Sequence, residues 1–261
     1  MTKRALITGA GARLGKAMAL ALGEDGYDVV VHYNTSADAA EAVASSIRQA
    51  GGTAVALAAD LTDEAATQSL VPLAMEALGG PITVLVNSAS IFEHDDIQTA
   101  TRESWDAHFE SNLRAPFVLT QAVAANAPDP LIEGEWDEPL AQALVVNMID
   151  QRVRKLTPEF MTYTLAKMGL WAFTRTAAQA LAPRVRVNAI GPGPTLQGAR
   201  QSREDFKAQR SATILERGAD PEGIVRALRY FIEARAVTGQ LLCVDGGQHL
   251  SWQTPDVMGP E

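Results

Sequence analysis

A tyrosine and a lysine stand four residues apart at Tyr163 and Lys167, inside an apolar segment with helical periodicity. Residues at this spacing lie on one face of a helix, so the phenol and the ammonium point into the same space. An ammonium neighbour favours the phenolate and is expected to lower the tyrosine pKa from about 10 toward working pH. The pair therefore predicts a general acid for the reduction of a C=O or C=N group. A surface pair without function is the alternative, because this spacing is common by chance.

A second motif is a glycine-rich turn, in which Gly9, Gly11 and Gly15 alternate with residues that include Arg13 and Leu14. Glycine permits positive φ angles, and a helix N-terminus offers free N–H groups and partial positive charge. A glycine-rich turn alone is a weak signal. Here it connects an apolar strand pattern to an apolar helical pattern, which is the context that a dinucleotide site requires. The turn therefore predicts a backbone site for a pyrophosphate.

Short β-branched runs alternate with longer helical patterns along most of the chain. We predict strands near residues 3–8, 28–33, 53–58, 82–87, 143–149, 184–190 and 240–244, and helices over 13–23, 37–50, 63–78, 101–126, 158–182 and 221–235. This alternation predicts an α/β fold, a Rossmann-type doubly wound parallel sheet of seven strands in three α/β/α layers. Ligands of such sheets bind beyond the C-terminal ends of the strands.

Two segments interrupt the alternation. Residues 127–139 are acidic and rich in turn-forming residues, so we predict an exposed loop. Residues 194–217 begin in a Gly-Pro-Gly-Pro run and carry five basic residues, which suits either a movable lid or a charged surface helix. We predict a single domain over residues 1–250 that includes the lid at about 194–217. The C-terminal tail over 251–261 is expected to be disordered or to reach a neighbouring subunit.

The composition limits the partners and the compartment. A net charge of −9 disfavours nucleic acid and anionic membranes. The single cysteine, Cys243, excludes an intramolecular disulfide and a cysteine-cluster metal site, and it fits a reducing compartment. No secretion signal is visible, and the apolar stretches are shorter than the roughly 18 residues of a membrane span. We therefore expect a cytoplasmic protein with a small-molecule substrate, and no metal site, nucleic-acid partner or membrane partner.

The glycine turn, the Tyr163–Lys167 pair and the closing run from Val244 to Gly247 resemble the short-chain dehydrogenase/reductase family over residues 3 to about 250. The resemblance implies a nicotinamide-dependent oxidoreductase in which Tyr163, Lys167 and Asn112 are catalytic, with Asn112 holding a water that links the lysine to solvent. It also implies a homotetramer, whereas a buried helix in a monomer is the alternative for residues 158–182. The further cofactor contacts that it implies are Asp60 and Leu61, then Asn87, Ser88, Ala89 and Ser90, and finally Pro192, Gly193 and Thr195.

Several positions resemble the pteridine reductase branch of that family. Arg13 and Leu14 give Arg-Leu-Gly where most members have Gly-Ile-Gly, and the branch uses this arginine at the pyrophosphate and at the substrate. Ser90 stands where most members have glycine, and Phe92 matches an aromatic residue that stacks a pterin against the nicotinamide. The resemblance therefore implies a substrate site that includes Arg13, Ser90 and Phe92.

Asp150 stands thirteen residues before Tyr163, where most members of the family have a serine that binds a substrate carbonyl. A carboxylate repels a polarised ketone oxygen, but it can accept from the N–H groups of a pterin or share a proton with the tyrosine. We therefore expect reduction of a dihydropterin or dihydrofolate-type C=N bond, with Asp150 in both the catalytic and the substrate-binding sets. The alternatives are a general carbonyl reductase or alcohol dehydrogenase, and an NADPH-binding regulatory protein without turnover.

The end of the second strand bears on the choice of cofactor. No acid stands where a carboxylate would bind the adenosine ribose diol and repel a 2′-phosphate. The pattern His-Tyr-x-x-Ser resembles NADPH-using pteridine reductases, although their arginine before the serine is Thr35 here. We expect NADPH, with NADH less favoured, and the contacts at this strand end are His32, Tyr33, Asn34 and Ser36.

Overall fold

The computed structural model describes residues 3–198 and 201–252. Seven parallel strands form the central sheet in the order β3-β2-β1-β4-β7-β8-β9, and β5 pairs with β6 outside it. The bounds are β1 (Arg4–Ile7), β2 (Asp28–Tyr33), β3 (Ala54–Ala58), β4 (Val84–Asn87), β5 (Leu131–Glu133), β6 (Glu138–Leu140), β7 (Ala143–Met148), β8 (Val185–Pro192) and β9 (Leu241–Val244). The predicted Rossmann-type sheet of seven parallel strands is confirmed.

Helices cover both faces of this sheet. Their bounds are α1 (Arg13–Glu24), α2 (Ala37–Gln49), α3 (Glu64–Leu78), α4 (Arg102–Phe109), α5 (Ala115–Asn126), α6 (Met161–Leu181), α7 (Arg203–Ser211) and α8 (Pro221–Glu233). Val29 and Val31 of β2 pack into the core cluster that includes α1, α2 and α8, whereas Val30 packs into the cluster of α3, α5 and α6. This alternation follows the two-residue period of a strand buried on both faces. The sheet therefore lies between two layers of helices, which gives the predicted three-layer α/β/α arrangement.

The strand order reverses direction between β1 and β4. The chain moves outward from β1 through β2 to β3, and it then returns to place β4 on the other side of β1. At such a switch point the connections leave in opposite directions and open a crevice at the C-terminal ends of the strands. The glycine turn follows β1 at this crevice.

The predicted helix over residues 101–126 is wrong in one respect, because a π-helical turn of 5 residues from Glu110 to Arg114 separates α4 from α5. Pro116 stands in the first turn of α5. A proline has no N–H, so it cannot donate to the carbonyl of Asn112 four residues earlier. The α-helical hydrogen-bond pattern is therefore interrupted at the π-helical turn that carries Asn112.

The segment 127–139 is exposed, as predicted, but it is not purely a loop. Leu131–Glu133 and Glu138–Leu140 form an antiparallel hairpin, which the turn-rich composition did not indicate. Gly134 and Asp137 in its turn have φ angles of 82° and 52°, which close the hairpin. Residues 199–200 of the predicted lid and 253–261 of the predicted tail lie outside the described residues. In the described part of the chain no helix has the length and hydropathy of a membrane span.

Candidate active site

The glycine turn packs so closely that two of its glycines have no room for a side chain. Gly9 has φ +64°, and a Cβ there would lie 2.9 Å from the Cα of Ala89. A Cβ on Gly15 would lie 2.3 Å from the carbonyl oxygen of Gly9. Gly11 is less constrained, since its Cβ would lie 3.2 Å from the nearest atom, the backbone nitrogen of Ala40.

Thr8 joins this turn to the end of β4. Its hydroxyl oxygen accepts hydrogen bonds from the backbone N–H groups of Ser88 and Ala89, each at 2.9 Å. Thr8 was not among the predicted site residues, although its place directly before Gly9 is the signal that could have indicated it. The two strand ends that border the crevice are thereby fixed to each other.

Arg13 connects the turn to the base of the predicted lid. Its guanidinium donates to the carbonyl oxygens of Gln197 at 2.9 Å and Leu196 at 3.1 Å. Its backbone lies in the left-handed region with φ 51°, which is uncommon for a residue other than glycine. Leu14 instead packs against the core. A positive charge therefore stands between the turn and the segment after β8.

His32 lies beneath the turn, with 1% of its surface exposed. Its Nδ1 accepts from the N–H of Gly9 at 3.1 Å, so its proton sits on Nε2, which donates to the carbonyl of Ala59 at 3.0 Å. Burial lowers the pKa of this imidazole. His32 thus holds the turn in place, and any contact with a cofactor would be indirect.

The other residues predicted around the adenosine lie at the ends of β2 and β3. Asn34 and Ser36 are exposed, and Tyr33 is half-buried. Asp60 is exposed and accepts from the backbone and the hydroxyl of Thr62 at 2.9 and 2.7 Å, and these hydrogen bonds lower the pKa of its carboxyl. Leu61 beside it is buried.

Asn87 ends β4 and has an unusual hydrogen-bond environment. Its Nδ2 donates to Oδ1 of Asn147 at 2.8 Å, and Nδ2 of Asn147 donates to Thr174 at 2.9 Å. The Oδ1 of Asn87 is buried and has no hydrogen-bond partner in the described part of the chain. Buried polar atoms normally have a partner, so this oxygen is suited to a ligand or a bound water.

Tyr163, Asp150 and Lys167 meet beyond the C-terminal end of β7. The phenol of Tyr163 donates to Oδ2 of Asp150 at 3.0 Å, while Nζ of Lys167 donates to the carbonyl of Met148 at 2.9 Å. The lysine nitrogen lies 5.7 Å from the centroid of the tyrosine ring. Asp150 is oriented through its Oδ1, which accepts from the backbone N–H of Arg152 at 2.8 Å.

The charges of this group correct one prediction. Burial raises the pKa of Tyr163 well above its ordinary value of 10.0, and the carboxylate of Asp150 raises it further. The expectation that the pKa of Tyr163 lies below its ordinary value is wrong for this geometry, because the phenol is buried and bonded to a carboxylate while the ammonium bonds to Met148. Burial lowers the pKa of Lys167 to about 8 and raises that of Asp150. The phenol therefore keeps its proton at neutral pH.

The segment after β8 packs against the closing turn of the sheet. A Cβ on Gly193 would lie 2.5 Å from the Cβ of Asp245, and the buried hydroxyl of Thr195 donates to the carbonyl of Gly193 at 3.0 Å. Pro192 is the last residue of β8. Arg210 on α7 donates to the carbonyl of Pro194 at 2.8 Å, which holds this helix over the segment.

The comparisons with known proteins agree with this geometry. A family model described as enoyl-(acyl carrier protein) reductase matches residues 9–249. A 3-oxoacyl-[acyl-carrier-protein] reductase of Synechocystis sp. is 32% identical, over 93% of this chain and 95% of its own. A short chain dehydrogenase of Burkholderia cenocepacia, solved in complex with NADP, is 30% identical over 95% of this chain and 98% of its own, with a TM-score of 0.84. The chain belongs to the short-chain dehydrogenase/reductase family.

One solved member of this family shares more of the sequence. FolM alternative dihydrofolate reductase 1 from Brucella suis, in complex with NADP, is 44% identical over 98% of this chain and 100% of its own, with a TM-score of 0.91. The prediction of the family, and of an oxidoreductase, is confirmed.

The residues of this short-chain dehydrogenase/reductase fit a nicotinamide dinucleotide. The glycine turn keeps side chains away from the N-terminus of α1, where Ala12 at the N-cap offers no capping side chain. The first N–H groups of the helix are suited to a pyrophosphate. The unpartnered Oδ1 of Asn87 lies at the end of the neighbouring strand, as a carboxamide acceptor for a bound group. Both features lie at the crevice between β1 and β4.

The substrate side of the site contains an aromatic pair. The rings of Phe92 and Phe160 stack with centroids 4.3 Å apart at an angle of 6°, and Phe92 meets the ring of Tyr163 edge-on at 4.7 Å. Ser90 is exposed, and a hydrogen bond from it opposes the rise of the pKa of Tyr163. Sequence reasoning missed Phe160, because only the fold brings it to Phe92.

The side chain of Asn112, a residue predicted to hold a water, binds the loop after β4. Its side chain is fully buried and clamps the backbone of Ile91, accepting from the N–H at 3.0 Å and donating to the carbonyl at 2.8 Å. Both ends of the amide are therefore engaged. Pro116 has no N–H to donate to the backbone carbonyl of Asn112, and the role of Asn112 in holding a water stays a prediction.

Proposed function

We propose that this short-chain dehydrogenase/reductase uses NADPH to reduce the C=N bond of a dihydropterin or dihydrofolate-type substrate. The observation that carries the proposal is the hydrogen bond of 3.0 Å from Tyr163 to Asp150 beside the exposed ring of Phe92. A carboxylate cannot stabilise the oxyanion that forms from a ketone, but it accepts readily from ring N–H and amino groups. The flat face of Phe92 suits a planar heterocycle.

The proton chemistry follows from the charges of the three side chains. When bound, NADPH supplies the hydride that adds to the carbon of the C=N bond. Tyr163 holds a proton at neutral pH and donates it to the nitrogen. Lys167 is an ammonium below a pH of about 8 and stabilises the phenolate that remains. Asp150 orients the phenol before transfer and accepts hydrogen bonds from the substrate.

The preference for NADPH over NADH is supported by the end of β2. Asn34, Thr35 and Ser36 are exposed there, and none carries the negative charge that would repel a 2′-phosphate. Ser36 stands at the N-terminus of α2 without a side-chain capping hydrogen bond, so its hydroxyl suits this phosphate. The proteins from Brucella suis and Burkholderia cenocepacia were both solved with NADP.

The test is a substrate panel with both reduced nicotinamides. Dihydrobiopterin, dihydromonapterin and dihydrofolate are each added to the enzyme with NADPH or NADH, and nicotinamide oxidation is followed by absorbance. We expect NADPH oxidation with at least one of them, and loss of this activity in Tyr163→Phe. Brisk reduction of ketones with no activity on any dihydropterin would reject the proposal. Tight NADPH binding without turnover on the whole panel would favour a regulatory protein.

Carbonyl reduction is the second candidate, and the environment of Asp150 favours it at acidic pH. Burial raises the pKa of this carboxyl. In its protonated form Asp150 is a hydrogen-bond donor and can hold a carbonyl oxygen as a serine would. Ketone reduction by this site should therefore increase as the pH falls. A rate on ketones that is flat across the same range would exclude this role of protonated Asp150, and no ketone reduction at any pH would exclude the candidate.

We infer further that the enzyme acts in the cytoplasm as a homotetramer, as a single domain over residues 1–250 whose segment 194–217 works as a lid. The tetramer is supported by α6, on which Leu165 is 44% exposed and Trp171 is only partly buried. A net charge of −9 and a single cysteine support a reducing compartment without nucleic-acid or membrane partners. Light scattering of the purified chain tests the tetramer, and a monomer would contradict it.

A further inference from the structure

A buried polar network lies behind the contact between Phe92 and Tyr163. Asp95 is 2% exposed, and its Oδ1 accepts from the backbone N–H of Thr162 at 3.1 Å. Its Oδ2 accepts from the hydroxyl of Thr162 and from Ser104 at 3.0 Å. Burial opposes the charge of Asp95, but these hydrogen bonds outweigh it and lower the pKa of this carboxyl. The loop after β4 is thus tied to the start of α6 by a carboxylate.

His108 on α4 completes the network and is fully buried. Its Nε2 lies 3.1 Å from the backbone nitrogen of Glu93, which can only donate, so Nε2 carries a lone pair and the proton sits on Nδ1. Nδ1 lies 2.6 Å from Oγ1 of Thr162 and donates to it, because the hydroxyl hydrogen of Thr162 is directed to Asp95. The loop after β4, through Glu93, and helix α6, through Thr162, therefore fix the tautomer of His108 together.

We propose that His108 is a positioning residue that sets the placement of Phe92 relative to Tyr163. One ring nitrogen holds the residue after Phe92, and the other holds the residue before Tyr163. Its ring meets that of Tyr163 edge-on at 6.0 Å between centroids. The inference rests on the proposed function in so far as Phe92 stacks the substrate.

The helical segment that carries His108 supports the Phe92 loop at more than one point. Asn112, four residues further on, clamps Ile91, while His108 holds Glu93 and Asp95 is bonded to α6. The loop is therefore held on both sides of Phe92. Loss of the His108 contacts is expected to change catalysis rather than unfold the chain, because the contacts of Ile91 and Asp95 remain.

Protonation of His108 provides a readout that a purely structural role would not give. Burial lowers the pKa of this imidazole, the carboxylates of Asp95 and Glu93 oppose that effect, and the ammonium of Lys167 adds to it. The edge of the Tyr163 ring also faces it. An imidazolium cannot accept from the N–H of Glu93, so acidification releases the loop on that side.

Two substitutions separate the two contacts. In His108→Asn the amide reaches the place of Nδ1 and can donate to Thr162, but nothing accepts from Glu93. In His108→Gln the amide reaches the place of Nε2 and can accept from Glu93, but Thr162 loses its donor. We expect H108N to raise the KM of the substrate about tenfold with little change in kcat, and H108Q to lower kcat about tenfold with little change in KM. Because protonation of His108 releases the loop, kcat/KM of the wild-type enzyme is expected to fall on the acidic side of its pH profile. This acidic limb should be absent in both variants.

A matched control removes a buried hydrogen bond at the opposite end of the sheet. Thr83 is 4% exposed and accepts from the backbone N–H of Arg4 at 3.2 Å. Thr83→Val should lower the melting temperature and leave KM, kcat and the acidic limb unchanged. If H108N and H108Q behave like Thr83→Val, His108 is only structural and the inference is overturned.

A measurement on the unaltered enzyme covers the case in which the variants fail to fold. The ¹⁵N shifts of the histidine rings distinguish the two neutral tautomers, and we expect His108 to carry its proton on Nδ1. A proton on Nε2 would overturn the inference. Failure of the proposed function is visible separately, as a lack of turnover of dihydropterins by the wild-type enzyme. The variants are then compared on whichever carbonyl substrate the wild type reduces, since Tyr163 donates the proton there also.

Discussion

The phenol of Tyr163 donates to Oδ2 of Asp150 over 3.0 Å, with the phenol buried and Asp150 half-buried. Burial, and after it this contact with the carboxylate, keep the proton on the phenol by raising the pKa of Tyr163. Lys167 stands on the same helix face but bonds to Met148. The site is thus prepared to give up a proton, as a reductase requires, and the carboxylate selects substrates that can donate to it.

Replacing Asp150 with serine should exchange one substrate class for another. A serine hydroxyl donates to a carbonyl oxygen but carries no charge to accept from pterin N–H groups. We expect Asp150→Ser to lower kcat/KM on dihydropterins by about a hundredfold and to raise ketone reduction. Both rates are measured on the same preparation, with NADPH affinity as the control because the substitution lies outside the glycine turn. Unchanged dihydropterin turnover would remove Asp150 from the mechanism.

The pH dependence of the reduction should reflect Lys167. Its pKa is lowered to about 8 by burial, so the ammonium is present below that pH and is lost above it. We expect kcat to fall as the pH rises through about 8. The charge of Asp150 raises the pKa of Lys167, so Asp150→Asn should move this alkaline limb to lower pH. A limb that stays in place in this variant would assign it to another group.

Local patterns predicted the fold because each of them reports burial directly. The run from Val29 to Val31 has no polar face, which in the structure corresponds to packing into a core cluster on each side of the sheet. The glycine turn was equally visible in the sequence. Glycine is required at Gly9 and Gly15 because a Cβ at either position would overlap the backbone. Pro116 also carried a signal for the π-helical turn, because it removes one helical hydrogen bond.

Features that depend on residues far apart in the sequence could not be predicted. Phe92 and Phe160 stack across a long stretch of sequence, and nothing in either segment indicates the other. The direction of the pKa shift of Tyr163 was predicted wrongly for the same reason. Spacing indicates that Lys167 shares a helix face with Tyr163, but only the fold shows that Asp150 takes the hydrogen bond and that the phenol is buried.

Two glycines of the turn, one tightly packed and one less constrained, should respond very differently to alanine. A Cβ on Gly15 would lie 2.3 Å from a carbonyl oxygen, whereas one on Gly11 would lie 3.2 Å from a backbone nitrogen. We expect Gly15→Ala to destabilise the fold by about 3 kcal/mol and to abolish NADPH binding, and Gly11→Ala to keep measurable binding. Thermal unfolding and NADPH fluorescence titration give the two values. Equal behaviour of the two variants would contradict the close packing at Gly15.

Removal of the Arg13 side chain should affect both the cofactor and the segment after β8. Its guanidinium holds the carbonyls of Leu196 and Gln197 and brings a positive charge to the turn. We expect Arg13→Met to raise the KM for NADPH about tenfold and to speed deuterium uptake in residues 201–217. Lys16→Met is the matched control, because it removes an exposed positive charge from the same helix. If the two variants behave alike, Arg13 acts only through its positive charge and not through its hydrogen bonds to Leu196 and Gln197.

Acidification should destabilise the protein through its buried imidazoles. Burial lowers the pKa of His32 and of His108 in the folded state, whereas the unfolded chain titrates near about 6.5. As the pH falls below that value the unfolded state binds more protons, so the free energy of unfolding decreases. His32→Gln removes one of the two groups and should reduce this slope without abolishing it. Urea unfolding between about pH 7 and pH 5 measures the slope, and an identical slope in the variant would show that His32 does not contribute.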